Sequence, residues 1–225
     1  MSKFTPKYIT FDCYGTLTNF EMAPSARKIF ADRIKPEQME AFVQDFRAYR
    51  LDEVLGAWKP FREVVCNSIE RTCRKWKLPY REEDALQIYN AVPTWGPHAD
   101  VPEGLAKVAK EIPLVILSNA DNCQIHHNVA KLGAPFAHVF TAEQAQAYKP
   151  RLQAWEYMFD QLGCGPEEMM HVSSSFRYDH MSAADLGYGA RVFVARGHEA
   201  SLTAHSQYAT HEIKDIGGLP GLFGL

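Results

Sequence analysis

Short apolar runs alternating with helix-period stretches constrain this chain more than any other feature. Five runs read as strands: Tyr8–Phe11, Leu114–Leu117, His138–Phe140, Met170–Val172 and Arg191–Val194. Among them lie amphipathic segments, Pro102–Lys110, Asn122–Leu132 and Leu152–Leu162, with apolar residues at helical spacing. Strand and helix in alternation predict a parallel sheet with helices on both faces, an α/β architecture. The first interval departs from that rhythm. Residues 20–92 hold no convincing strand but three helix-period segments, Gln38–Leu55, Phe61–Trp76 and Glu82–Val92. An insertion leaving the sheet just after its first strand is expected to sit over the carboxyl edge as a helical cap. VPTWGPHADVP, punctuated by Pro and Gly, then returns the chain to the core. The expected division is a core of residues 1–19 and 93–225 and a cap of residues 20–92. The tail, Ala200–Leu225, contains HEIKDIGGLPGLF, which reads as a last short strand and a closing turn.

In open α/β sheets, ligands bind beyond the carboxyl ends of the strands. Four groups of polar residues fall there: Asp12 with Tyr14 and Thr16, Ser118 with Asn119, Lys149, and the run Ser173 to Asp179. Asp12 lies between Phe11 and Cys13–Tyr14, flanks that suit an enclosed carboxylate better than a surface turn. Thr16 either caps the next segment or hydrogen-bonds Asp12 and holds one carboxylate rotamer. Ser118 and Asn119 are N-cap residue types, and a capping loop also offers N–H groups to an anion. Lys149 precedes Pro150, which suits the first turn of a helix.

Composition narrows the function classes. The 225 residues are 46% apolar and 23% charged, enough for one well-buried core with a smaller appended domain. A net charge of −3 with scattered basic residues argues against a nucleic-acid partner. No apolar run approaches the ~20 residues needed to cross a bilayer, and the opening MSKFTPKYITF has no signal-peptide segment. Cys13, Cys66, Cys73, Cys123 and Cys164 form an odd set without a CxxC pair. They read as reduced thiols in a cytoplasmic protein, not as a disulfide framework or a zinc site.

FDCYGTL, LSN, YKP and the serine-rich strand end followed by Asp179 together resemble the haloacid dehalogenase superfamily, most closely its type II L-2-haloacid dehalogenases. The resemblance covers nearly the whole chain, in motif order. It implies a Rossmann-like parallel-sheet core, a helical cap inserted after the first strand, an active site between them and Asp12 as nucleophile. Phosphatases of the superfamily carry a second Asp two residues after the nucleophile, to protonate a leaving alkoxide; here that position is Tyr14. They also bind Mg²⁺ through an Asp pattern where HVSSSFRYD places serines. A halide leaves as a stable anion and needs no proton. The implied activity is therefore hydrolysis of short 2-haloalkanoic acids to 2-hydroxy acids through an aspartyl ester, with no metal and no cofactor.

The same resemblance assigns roles. Arg47, from the cap segment DFRAYRLDEV, and Asn119 hold the halogen, with Arg50 as the alternative to Arg47. Lys149 lies near Asp12 and lowers its pKa. Ser118, with backbone N–H groups, takes the substrate carboxylate. Asp179 is the base or orienter for the hydrolytic water, and Tyr14, Leu51 and Phe61 form the apolar wall. Three positions depart from the family: Trp155 stands where Tyr is common, Ala48 where Gln is usual, and the run through Ser174 and Ser175 to Asp179 is one residue longer and lacks an Asn. Trp155, Ser174 and Ser175 are taken as substrate-binding. The implied partners are a small haloacid and the halide product, and the resemblance allows a homodimer. Two rival readings stay open: a phosphatase of the same superfamily, and a non-catalytic protein that binds small acids.

Overall fold

A computed structural model describes residues 4–197 and 205–225; residues 1–3 of the expected core and 200–204 of the expected tail lie outside them. Six strands form one all-parallel sheet: β1 Tyr8–Phe11, β2 Leu114–Ser118, β3 His138–Thr141, β4 Met169–Ser173, β5 Ala190–Val194 and β6 His211–Ile213. Their order is β3-β2-β1-β4-β5-β6. β1 thus sits between β2 and β4, where the order reverses, and the crevice beyond its carboxyl end is the ligand position of such sheets. The strands read as continuous apolar runs because both faces are covered. Ile9, Phe11, Ile116, Val172 and Val192 belong to one layer of core, and Val115, Leu117, Trp155 and Met158 to another.

The described residues also form ten α-helices: α1 Met22–Phe30, α2 Met39–Leu55, α3 Phe61–Lys75, α4 Glu82–Ala91, α5 Val101–Val108, α6 Asn122–Val129, α7 Ala142–Ala145, α8 Leu152–Leu162, α9 Met181–Asp185 and α10 His205–Tyr208. α1 was not expected from periodicity, because Pro24 interrupts its pattern. That proline lies in the first turn, where its missing N–H breaks no intrahelical bond. The helices α1 to α4 build an apolar core of their own, with Phe30, Phe42, Phe46, Val64, Val65, Ile69 and Ile88 buried together. Full burial of each such side chain contributes about 1.5–3 kcal/mol, so this layer is held by its own packing. Across the sheet, the end of the chain lies against α5. A Cβ on Gly104 would come 2.7 Å from the Ile216 carbonyl oxygen, so only glycine permits that approach.

Candidate active site

Asp12 emerges directly from β1 and is 8% exposed. The turn behind it passes through Gly15 at φ 96°, a conformation that side chains with a Cβ rarely adopt. Thr16 is thereby brought back to donate to Asp12 Oδ2 at 2.6 Å. The loop is braced from behind. Arg196, after β5, donates to the Thr16 carbonyl and grips Asp100 through two bonds of 2.7 and 2.9 Å. Ser174 donates its backbone N–H to Thr16 Oγ1 at 3.0 Å. The carboxylate is therefore fixed before any substrate arrives.

Lys149 is 1% exposed, and its ammonium donates to Asp12 Oδ1 at 3.0 Å and to Asp179 Oδ1 at 2.6 Å. Burial pulls Lys149 toward neutrality, but Asp12 and Asp179 override it and hold the ammonium charged. Asp12 is pushed above the usual carboxylate range, chiefly by burial, against the pull of Lys149. The expectation that Lys149 sets a low pKa on Asp12 is thus corrected. The lysine acts in that direction, but desolvation wins. Asp179 goes the other way: burial pushes it up, yet Lys149 and His171 hold it well below its ordinary value. Its Oδ1 receives both neighbours, while Oδ2 is buried without a partner among the described residues.

The extra residue before Asp179 is absorbed locally. Residues Phe176–His180 form a π-helical turn, which accommodates one more residue than an α-turn and so returns Asp179 to the lysine. Ser175 caps that turn by accepting from the Tyr178 N–H at 3.1 Å.

These groups open into a cavity of about 660 Å³ lined by Asp12, Tyr14, Ser118, Asn119, Lys149, Ser174, Ser175 and Asp179 from the sheet side. From the cap come Phe20, Val43, Phe46, Arg47, Arg50, Val54 and Phe61. Ser118 Oγ is buried and has no hydrogen-bond partner among the described residues. Asn119 bonds the Lys149 backbone through both ends of its amide, at 2.8 and 2.7 Å, which leaves its second N–H to other partners. Tyr14 lines the cavity; its hydroxyl donates to Asn128 at 3.0 Å, and its ring meets Trp95 edge-on. No acid stands at that position to serve a leaving alkoxide.

A family model described as haloacid dehalogenase-like hydrolase matches residues 6–187. The chain belongs to that family. Haloacid dehalogenase-like hydrolases similar to it include haloacetate dehalogenase H-2 of Moraxella sp. (strain B), 28% identical over 184 residues, covering 80% of this chain and 82% of that protein. The (S)-2-haloacid dehalogenase of Xanthobacter autotrophicus is 27% identical over 197 residues, 83% of this chain and 74% of that protein. In fold, the chain matches the structure of the Xanthobacter autotrophicus L-2-haloacid dehalogenase with chloropropionic acid covalently bound. The TM-score is 0.78 at 23% identity, over 97% of this chain and 98% of the other. A dehalogenase with intermediate complex gives a TM-score of 0.80 at 20% identity, over 96% of each chain.

Within this haloacid dehalogenase-like hydrolase, three expected site residues do not line the cavity: Thr16, fully buried, acts on Asp12 from behind, and Leu51 and Trp155 lie elsewhere. Leu51 lies on α2 between the cavity-lining positions Arg50 and Val54, and one residue of helical rotation turns it into the cap core. Trp155 is fully buried beneath the sheet with Val115, Leu117 and Met158, because α8 aims that face inward. Trp155 does not line the cavity, and its ring lies 5.9 Å from the Lys149 ammonium, so it acts on the site through that lysine. Among the described residues no three of His, Cys, Asp and Glu are grouped together. The cation between Asp12 and Asp179 is Lys149 itself.

His171 was missed by sequence reasoning. It is fully buried in β4, with Nε2 3.0 Å from Asp179 Oδ1, Nδ1 2.8 Å from Thr10 Oγ1 and the Trp155 ring edge-on at 4.7 Å. Burial lowers its pKa; Nε2–H donates to the Asp179 carboxylate, and Nδ1 shares a hydrogen bond with the Thr10 hydroxyl, which also donates to the Met170 carbonyl. The available signal was one ionisable residue inside the apolar run MMHV.

Proposed function

We propose that this hydrolase displaces halide from short 2-haloalkanoic acids, forming an ester on Asp12 and then hydrolysing it to the 2-hydroxy acid. The observation that carries the reading is the line Asp12–Lys149–Asp179 at the foot of a cavity lined by three arginines, Arg27, Arg47 and Arg50. In the first step a carboxylate oxygen of Asp12 attacks the halogen-bearing carbon as the carbon–halogen bond breaks, inverting that carbon. Thr16 and Lys149 fix the attacking group, which is where positioning accelerates a displacement. The halide leaves toward Arg47 and the second N–H of Asn119, where negative charge develops. Ser118 Oγ is free to donate to the substrate carboxylate.

In the second step, water held at Asp179 Oδ2 attacks the ester carbonyl. Asp179 passes the water's proton to the departing hydroxyl oxygen of the product, and the Asp12 carboxyl then loses its proton to solvent. His171 and Lys149, both on Oδ1, keep Oδ2 turned to this task. Relatives that are haloacetate and (S)-2-haloacid dehalogenases support the substrate class, and the (S) enantiomer is the expected one. Five free thiols support a reducing, cytoplasmic setting. A homodimer is the expected assembly.

The test is halide release from both enantiomers of 2-chloropropionate, with and without chelator. Wild type releases halide from one enantiomer regardless of chelator, and Asp12→Asn releases none. In Asp179→Asn, hydrolysis slows by about 10²–10⁴-fold, so mass spectrometry finds the ester on Asp12. Turnover that requires Mg²⁺ and frees phosphate from phosphomonoesters would overturn the reading in favour of a phosphatase.

A further inference from the structure

Arg50 is 9% exposed and lines the same cavity as Asp12. Its guanidinium stacks against Phe20 at 4.9 Å and Phe46 at 5.4 Å, and it forms no ion pair among the described residues. A buried cation without an acid is costly. Burial pushes it toward neutrality and Arg47 adds to that, with Tyr178 acting the other way. The acids around the cavity are otherwise engaged: Lys149 takes Asp12 and Asp179, and Arg27 takes Glu40 at 2.5 Å. Glu21 is exposed. Arg47, three residues earlier on α2, also lines the cavity and acts on Arg50 as a like charge. A protein that keeps such a group in a cavity keeps it for an anion that arrives from outside.

A monocarboxylate 2-haloacid already accounts for the other donors. Ser118 Oγ addresses the carboxylate beside the reacting carbon, and Arg47 with Asn119 addresses the halide. A cavity of about 660 Å³ is also in the range that encloses drug-sized ligands, well beyond a three-carbon acid. Resting on the dehalogenase reading above, we infer that Arg50 binds a second carboxylate of the substrate, so that the site is adapted to 2-halo dicarboxylic acids. The rings of Phe20 and Phe46 flank the guanidinium, and an arginine fork can pair with a carboxylate bidentately.

The experiment compares 2-chloroglutarate with 2-chloropentanoate, matched in chain length and differing in the distal charge. The wild-type kcat/KM is expected to favour the diacid by about 10- to 10²-fold. Arg50→Met abolishes that ratio, and Arg50→Lys retains part of it. The Met variant melts at or above the wild type, since it removes an unpaired buried charge. Glutarate, which carries no halogen, is measured in parallel by thermal shift and stabilises the wild type but not Arg50→Met. Equal wild-type turnover of the two acids overturns the inference and leaves the reaction intact. So does an Arg50→Met variant that loses both acids to the same degree, because Arg50 then serves the reacting end. Glutarate binding that depends on Arg50, with no halide released from either acid, upholds the second-carboxylate site and removes the dehalogenase reading instead.

Discussion

One ammonium, that of Lys149, serves two carboxylates with opposite fates. Asp179 is held well below its ordinary value, while Asp12 stays above its own because burial outweighs the lysine. The nucleophile must be ionised to attack, so kcat/KM is expected to fall as pH drops through the raised Asp12 value. Lys149→Met removes the attraction that favours the Asp12 anion and leaves Asp179 repelling it. The acid limb of the pH profile then moves to higher pH, and activity at neutral pH falls by about 10²–10³-fold, the scale of losing one aimed charge. An acid limb that stays in place in this variant assigns it to some other group.

At the scale of elements, the cap is joined to the sheet by a few buried polar residues on the core side. Asp121, in the loop after β2, accepts from the Phe61 N–H at 3.1 Å and from the Tyr89 hydroxyl at 2.8 Å. It thereby caps the start of α3 and ties α4 in one contact. Gln124 donates to the Tyr89 carbonyl, Asn128 to those of Val92 and Trp95, and Tyr148 to that of Lys59. The cavity lies between the two bodies these residues join. Asp121→Ala is expected to lower stability by about 1.5–3 kcal/mol, the range for a bond to a charged group. It also raises KM, because Phe61 is a wall of the cavity. Urea unfolding with steady-state kinetics checks both; a variant with unchanged KM would place the closure of the cavity elsewhere.

Across the whole molecule, buried histidines make stability depend on pH. His180 is lowered to about 4, mainly by burial, and His171 is lowered as well. Because the folded values lie below the unfolded value of 6.5, the unfolded chain binds more protons as pH falls through this window. Stability is therefore full above about 6.5 and declines toward the folded values, the His180 share reaching about 3 kcal/mol. Asp12 opposes this, since its raised value lets the folded state take up a proton more readily than the unfolded chain. His180→Gln is expected to flatten the dependence of the urea midpoint on pH across that range, with little change near neutrality. A slope that survives the substitution belongs to His171 or to groups outside the site.

What the sequence determined by itself is the alternation of strands and helices and the polar residues that follow each strand. Burial on both faces of a parallel sheet forces continuous apolar runs, and their carboxyl ends open on one edge, so Asp12, Ser118 and Asp179 could be grouped by position alone. The helical cap was legible for the same reason, as helical period without strand period over 20–92. Other features needed the tertiary structure. Which face of α2 meets the cavity depends on how that helix packs on α3, and this put Arg50 inside and Leu51 in the cap core. Trp155 matched a motif position, yet α8 aims it beneath the sheet, against His171. The π-helical turn that returns Asp179 to Lys149 is invisible to periodicity, because one added residue reads as a shifted register until neighbouring strands fix where the turn must end. The sign of the Asp12 shift was likewise decided in three dimensions: composition names the charges nearby, but only packing sets how much water is excluded from them.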